Sequence, residues 1–280
     1  MPTQKSPKTA HKQHLYRLEQ ELGVRFGWTS TPALRDEVIL CVKRKAARLV
    51  LEEITYYNML LKSPAELLTL AEEVANGETA FFREPCQFSF LNDKVIPDLI
   101  KANRQSRQLR LWSMACSTGE EPYSLSLLLR ERLRRIDEWK VELLATDFRS
   151  GALLDANQGR YPLVALRNLS EEQRERHFNR LEETGFCQIQ PEAKRLVSFR
   201  RANLSEPAFW RQIKKGYDLI VCNNLLIYLH PVAARQIIKR LGETVRPGGF
   251  LMVAVTEKSL IEEPAFVPLD VPGLFRRKEG

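Results

Sequence analysis

The sequence predicts an α/β protein: a parallel sheet with crossover helices, preceded by a helical domain and interrupted by a small antiparallel insertion. Three observations predict it. The short apolar runs "LRLWSMAC", "VELLATDF", "YDLIVCNNLLIYL" and "GGFLMVAVT" alternate with helical stretches such as "PYSLSLLLRERLRRI" and "PVAARQIIKRLGETV". Strands buried on both faces read as continuous apolar runs, and strand–helix alternation is the pattern of crossover connections. Before Leu109 the apolar residues recur at helical spacing, and after "NQGRYPL" a polar helix and an alternating segment break the rhythm.

Taken in order, residues 1–13 hold lysine, serine, threonine and proline without an apolar pattern, and are expected to be a disordered basic tail. Residues 14–90 are expected to form an N-terminal helical domain and linker. In "LRDEVILCVKRKAARLVLEE", Leu34, Val38, Val42, Ala46 and Leu49 recur three or four apart, which puts them on one helix face. "SPAELLTLAEEV" begins with a serine N-cap, a proline at the first helical position and Glu66 where a capping box wants it. Residues 91–280 are expected to form the sheet-containing domain, with 160–204 as an inserted β subdomain. There "SEEQRERHFNRL" reads as a helix and "GFCQIQPEAKRLVSFRRANL" as a hairpin.

Composition narrows the function less than the pattern does. Hydrophobic residues make up 44% of the 280, enough for a core, and no apolar run approaches the roughly 20 residues of a membrane span. The basic start "MPTQKSPKTAHKQHLYRLEQ" lacks the apolar stretch of a secretory signal, so a cytoplasmic protein without membrane insertion is expected. Cys41, Cys86, Cys116, Cys187 and Cys222 never form Cys-x-x-Cys and read as buried free thiols; no metal is expected. The formal net charge of +8 suits a nucleic-acid binder, a membrane-surface protein or an enzyme with an acidic protein partner.

The turn after the first strand narrows the ligand. In "ACSTGEE", Ala115, Ser117 and Gly119 take the places of a Gly-x-Gly-x-Gly, where small residues let a ligand approach the backbone. Asp147 ends the second strand, where an acid can accept both hydroxyls of a ribose. The next strand ends in Asn223 and Asn224, followed by Tyr228. Glu120 and Glu121, at the mouth of the turn, would repel a pyrophosphate at short range but attract an ammonium and a sulfonium. S-adenosylmethionine carries both, with a ribose for Asp147 and an adenine for a small apolar pocket. Two acids at that point also suit the positive end of a helix dipole without any ligand.

At these residues the chain resembles the CheR-type chemotaxis receptor methyltransferases, from about Phe26 to the C-terminus. The resemblance rests on "ETAFFREPCQF", "ACSTGEEPYSL", "LLATDF", "GRYPL", "VSFRRANL", "CNNLLIYL" and "RPGGFLMVAVTEKSL", in this order. It implies a Rossmann-like class I S-adenosylmethionine-dependent methyltransferase sheet, an N-terminal helical domain and a small antiparallel β subdomain. It implies transfer of a methyl group to glutamate side chains of methyl-accepting chemoreceptors, leaving S-adenosyl-L-homocysteine. Gly77, Thr79, Arg83, Ala115, Glu120, Glu121, Asp147, Asn203, Leu204, Asn224 and Leu225 would then line the cofactor, with Arg83 and Tyr228 facing the acceptor. The chain departs from the family at Gly77, where an asparagine is usual (Asn76 is adjacent), and at Asn223, where an arginine is usual.

A glutamate acceptor is already an anion at neutral pH, since a free glutamate side chain titrates at about 4.3. It needs no general base, and none of these motifs holds a histidine; the four histidines read as surface or structural residues. "CVKRKAAR" puts Lys43, Arg44, Lys45 and Arg48 on the polar side of a helix, a patch that would dock on the acidic cytoplasmic helices of a receptor. No nucleic-acid partner is expected, since the fourth strand does not end in an Asp/Asn-Pro-Pro-Tyr turn. A monomer is expected. The alternatives are a regulatory protein that binds S-adenosylmethionine without turnover, and a methyltransferase acting on another protein or on nucleic acid.

Overall fold

The computed structural model describes residues 7–75, 77–181 and 185–279. The chain divides into two compact units, Met1–Gly77 with Tyr228–Ala234, and Glu78–Ile227 with Arg235–Gly280.

The smaller unit is built from four helices, α1 (Pro7–Phe26), α2 (Pro32–Arg48), α3 (Glu53–Lys62) and α4 (Pro64–Val74). Two of them start as the sequence dictates. Thr31 and Ser63 each accept a hydrogen bond from the amide three residues on (Leu34 and Glu66), and each is followed by a proline with its φ preset for the first turn. The Glu66 side chain accepts from the Tyr56 hydroxyl instead of closing a capping box. Val38, Val42 and Ala46 of α2 are buried with Leu18, Leu22, Tyr56, Leu60, Leu67 and Leu70; Leu49, just past the helix, is exposed.

The expectation of a disordered tail over 1–13 needs correction. Residues 7–13 are the first turns of α1, and residues 1–6 lie outside the described residues. Helix continues there because it has something to pack on: His11 stands edge-on to buried Tyr57, and His14 meets Tyr57 and Asn58 of α3. The segment after Ile227 also belongs to this unit. Trp28 and Leu229 form an antiparallel bridge, the Thr29 amide donates to the Tyr228 carbonyl, and the His230 amide donates to that of Gly27.

The larger unit holds a seven-stranded sheet. In sequence its strands are β1 (Gln108–Met114), β2 (Lys140–Asp147), β6 (Val197–Arg201), β7 (Tyr217–Cys222), β8 (Val245–Val253), β9 (Phe266–Pro268) and β10 (Leu274–Arg277). In space they run β6-β2-β1-β7-β8-β10-β9, the first five parallel and β10 antiparallel to both its neighbours. The chain starts in the middle at β1 and winds outward both ways, so β1 and β7 flank the switch point, where their carboxyl ends open a crevice. The crossovers include α7 (Glu120–Arg132), α8 (Ser150–Gln158), α11 (Pro207–Gln212) and α12 (Pro231–Thr244). β7 is buried at every position, as its unbroken apolar run requires.

Two expected boundaries move. The helical run α5 (Pro85–Phe90), a π-helical turn (Leu91–Val95) and α6 (Ile96–Ala102) belongs wholly to the larger unit. Phe88, Leu91, Val95, Ile96 and Leu99 enter the same core as Leu109, Leu111 and Leu219, so the break falls at 77/78 rather than 90/91.

The expected hairpin within 160–204 is not one. β3 (Arg160–Pro162), β4 (Phe178–Leu181) and β5 (Phe186–Ile189) form a separate antiparallel sheet in the order β3-β5-β4, with α9 (Glu171–His177) between β3 and β4 and α10 (Pro191–Lys194) after β5. Val197–Arg201 instead joins the edge of the main sheet. Val197 and Phe199 pack on Cys116, Ala145 and Leu153, and Phe199 meets the Tyr123 ring at 5.6 Å. Burial of that apolar face outweighs pairing with the short β5. Among the cysteines, Cys86 is exposed rather than buried.

Candidate active site

The site is built on the turn from β1 into α7. Ala115, Ser117 and Gly119 have φ of +53°, +53° and +96°. Two non-glycine residues in the left-handed region cost energy unless their surroundings impose it. Here they do. The Cys116 amide donates to the Thr146 carbonyl at 2.9 Å, the Ser117 amide to Asp147 Oδ2 at 2.8 Å, and the Tyr161 hydroxyl to the Thr118 carbonyl at 2.8 Å. Gly119 has no room for a side chain: a Cβ would lie 2.9 Å from Ala156 Cβ and 3.0 Å from the Tyr161 hydroxyl. The positions read as glycine surrogates in the sequence are the ones that bend the chain.

The two glutamates face different ways. Glu120 is buried, and its carboxylate accepts from the Thr118 hydroxyl at 2.7 Å; burial raises its pKa. Glu121 reaches across the strand tips. Its Oε1 accepts from the Ser113 hydroxyl of β1 at 2.6 Å, and its Oε2 from Asn223 Nδ2, just past β7, at 2.9 Å. Burial pushes Glu121 up to about 7; the Ser113 and Asn223 hydrogen bonds oppose the rise, and Glu257 adds to it. The Arg83 charge also lowers it, by less than these.

Asp147 is 5% exposed. Besides the Ser117 amide it accepts from the Arg149 amide at 2.9 Å and from Arg149 Nε at 3.3 Å. Three donors leave acceptor capacity on a carboxylate, which has about four lone-pair sites. The next strand over, β6, exits beside it, the Ala202 amide donating to the Asp147 carbonyl. Asn203 and Leu204 follow directly, with Asn203 Oδ1 accepting from the Ser205 amide and the Leu204 carbonyl from Trp210 Nε1. Beyond β7, Asn224 has φ +55°, and its amide donates to buried Glu257 at 2.9 Å.

Thr79 and Arg83 lie on a tight segment just before α5. Phe82 and Glu84 have φ of +48° and +67°, and the Phe82 amide donates to the Ser124 hydroxyl of α7 at 2.9 Å. With Phe81 and Phe82 buried, the Arg83 side chain stays exposed, donating to the Glu78 carbonyl at 2.6 Å.

Gly77 and Tyr228 group with the smaller unit, and Tyr228 is 48% exposed; Asn76 lies outside the described residues. In the basic patch of that unit, Arg44 and Lys45 both pair with Glu73, at 3.2 and 2.7 Å, which leaves Lys43 and Arg48 as its exposed charges without an ion pair to a described residue.

Residues 77–268 match the family described as "CheR methyltransferase, SAM binding domain". The chain belongs to the CheR methyltransferase family. It is 35% identical over 192 residues to chemotaxis protein methyltransferase 1 of Pseudomonas aeruginosa, covering 67% of this chain and 68% of that one. It is 32% identical over 208 residues to a chemotaxis protein methyltransferase of Borreliella burgdorferi, covering 72% of each. A probable biofilm formation methyltransferase of Pseudomonas aeruginosa, WspC, is 31% identical over 93% of this chain and 61% of its own.

As a CheR family member the protein is an S-adenosylmethionine-dependent methyltransferase with a class I sheet. The crevice suits that cofactor on its own chemistry. Asn223 Oδ1 is buried and has no hydrogen-bond partner among the described residues, and it stands on the side chain that holds Glu121. A spare acceptor beside a carboxylate is what a bound ammonium would satisfy.

Sequence reasoning missed Ser113, Arg149 and Glu257. Two were signalled by a polar residue at the end of or inside an apolar run: the serine inside "LWSM" and the glutamate straight after "VAVT".

Proposed function

We propose that the protein methylates glutamate carboxylates on the cytoplasmic helices of methyl-accepting receptors, and that it works in the cytoplasm. The observation that carries this reading is the placement of Arg83. It is an exposed guanidinium on a strained turn that the Phe82 amide pins to Ser124 of α7, the helix that begins with Glu120 and Glu121. A carboxylate acceptor would be drawn to that charge, and relatives named as chemotaxis protein methyltransferases support a role in chemotaxis. The match to WspC makes a receptor serving an output other than swimming the second reading.

Bound S-adenosylmethionine would supply an electrophilic methyl group on its sulfonium. In this reading Glu121, Asn223 and Glu120 receive its amino-acid end, Asp147 its ribose, and Ala115, Asn203, Leu204, Asn224 and Leu225 wall the rest, with Thr79 at the rim. Arg83 orients the incoming carboxylate. Alignment of an anion with a methyl sulfonium, away from water, is the larger part of what such a reaction needs. Lys43 and Arg48, flanked by the Glu73-paired Arg44 and Lys45, steer docking on an acidic helix.

The test is incubation with methyl-labelled S-adenosylmethionine and membranes from the source cell, followed by mild base. Methanol released from a receptor-sized band is expected, and none with Asp147→Ala. Label that stays on the acceptor in base would exclude a carboxyl ester.

A further inference from the structure

The 223–227 turn has no regular structure until the short 3₁₀ helix Leu226–Tyr228, yet it carries three residues placed in the site. Something must hold it. Glu257, on the 3₁₀ turn Val255–Leu260 after β8, is 0% exposed. Its Oε2 accepts from the Asn224 amide at 2.9 Å and the Ala254 amide at 3.2 Å, and its Oε1 accepts from the Ile227 amide at 3.2 Å. One buried carboxylate thus collects donors from both sides of the β7–β8 tips. Asn224 sits in the left-handed region, a conformation with a cost unless its neighbours fix it. Its amide is fixed by Glu257, while the adjacent Asn223 side chain is fixed by Glu121.

We propose that Glu257 is a positioning residue for methyl transfer: by accepting the Asn224 and Ile227 amides it sets the cofactor-facing form of the 223–227 turn. It touches no reacting atom itself. The proposal rests on the reading that Asn224 and Leu225 line the cofactor. A structural role elsewhere would explain burial, but not why the Asn224 and Ile227 amides of this turn both donate to it. Glutamine in its place has one acceptor oxygen and puts an NH₂ against the remaining amide, so at least one donor loses its partner.

The experiment compares the full chain with Glu257→Gln, Glu257→Asp and Asn224→Ala. Three quantities are read: amide exchange at Asn224 and Ile227, the dissociation constant for S-adenosylhomocysteine, and the melting temperature. In Glu257→Gln, exchange at those two amides is expected to rise, and cofactor-product affinity to fall, by about tenfold or more. The cofactor KM should rise more than kcat falls. Glu257→Asp keeps the charge with a shorter reach and should fall between; if the glutamine variant does not fold, the aspartate variant carries the same test. Faster exchange with unchanged affinity would overturn the proposal, and so would unchanged exchange. If Asn224→Ala itself leaves affinity intact, the assignment of the pocket has failed instead.

Discussion

Glu121 concentrates the chemistry of this site at one side chain. Burial lifts its pKa to about 7 from the usual carboxylate value. The folded chain therefore holds that proton more tightly than the unfolded chain. The stability it contributes is complete below the ordinary carboxylate pKa and is lost as pH rises through about 7. Urea melts of the ligand-free protein across this window should show a decline that Glu121→Gln reduces. An ammonium beside Glu121 favours the ionised form, so affinity for S-adenosylhomocysteine should climb as pH rises to about 7 and level off above it. Calorimetry in buffers of different ionisation enthalpy reads the released proton, and a pH-independent affinity would deny Glu121 this role. At this scale the sequence was partly legible. The paired acids and Asp147 stand out as charges at strand ends, whereas the division of labour between Glu120 and Glu121 depends on Ser113 and Asn223, which come close only once β1 and β7 pair.

Among the elements, the β1–α7 turn carries a conformational cost at two non-glycine residues, Ala115 and Ser117. Gly119→Ala should destabilise the protein by about 1–3 kcal/mol, since the new Cβ meets Ala156 and Tyr161 in a left-handed backbone. Ala115→Gly should do the opposite and stabilise by about 0.5–1 kcal/mol, because glycine bears φ +53° without a side-chain clash. Chemical melts of both variants check the pair; equal losses would mean the turn tolerates either residue for other reasons. β1, β2, β7 and β8 were readable from their apolar runs, and the helix starts at Thr31 and Ser63 from their capping residues; β9 and β10, three and four residues long, were too short to read. β6 was not readable either. Its alternating pattern fits a hairpin as well as a sheet edge, and only the distant Cys116–Ala145–Leu153 surface decides between them.

For the whole molecule the net charge of +8 is a statement about encounters rather than fold. Reversing Lys43 and Arg48 to glutamate should slow methylation of the proposed receptor about tenfold or more at low salt, and less at high salt, with cofactor affinity unchanged. Rates that ignore both the substitutions and the salt would remove the patch from docking. That helices precede the sheet was legible, because periodicity changes near Leu109. The position of the boundary was not. Residues 85–102 look like any amphipathic helix in sequence, and their membership is set by the leucines of β1 that they cover.

The seven residues Tyr228–Ala234 leave the sheet-containing unit, join the strand-like stretch at Gly27–Thr29, and return as α12. The helical unit is therefore not a detachable prefix. A chimaera that borrows residues 1–77 from a relative to change receptor choice has to borrow 228–234 with them, or Trp28 and Thr29 meet a foreign strand. Whatever the helical unit contributes would thus be inherited together with Tyr228, through two crossovers in the gene rather than one.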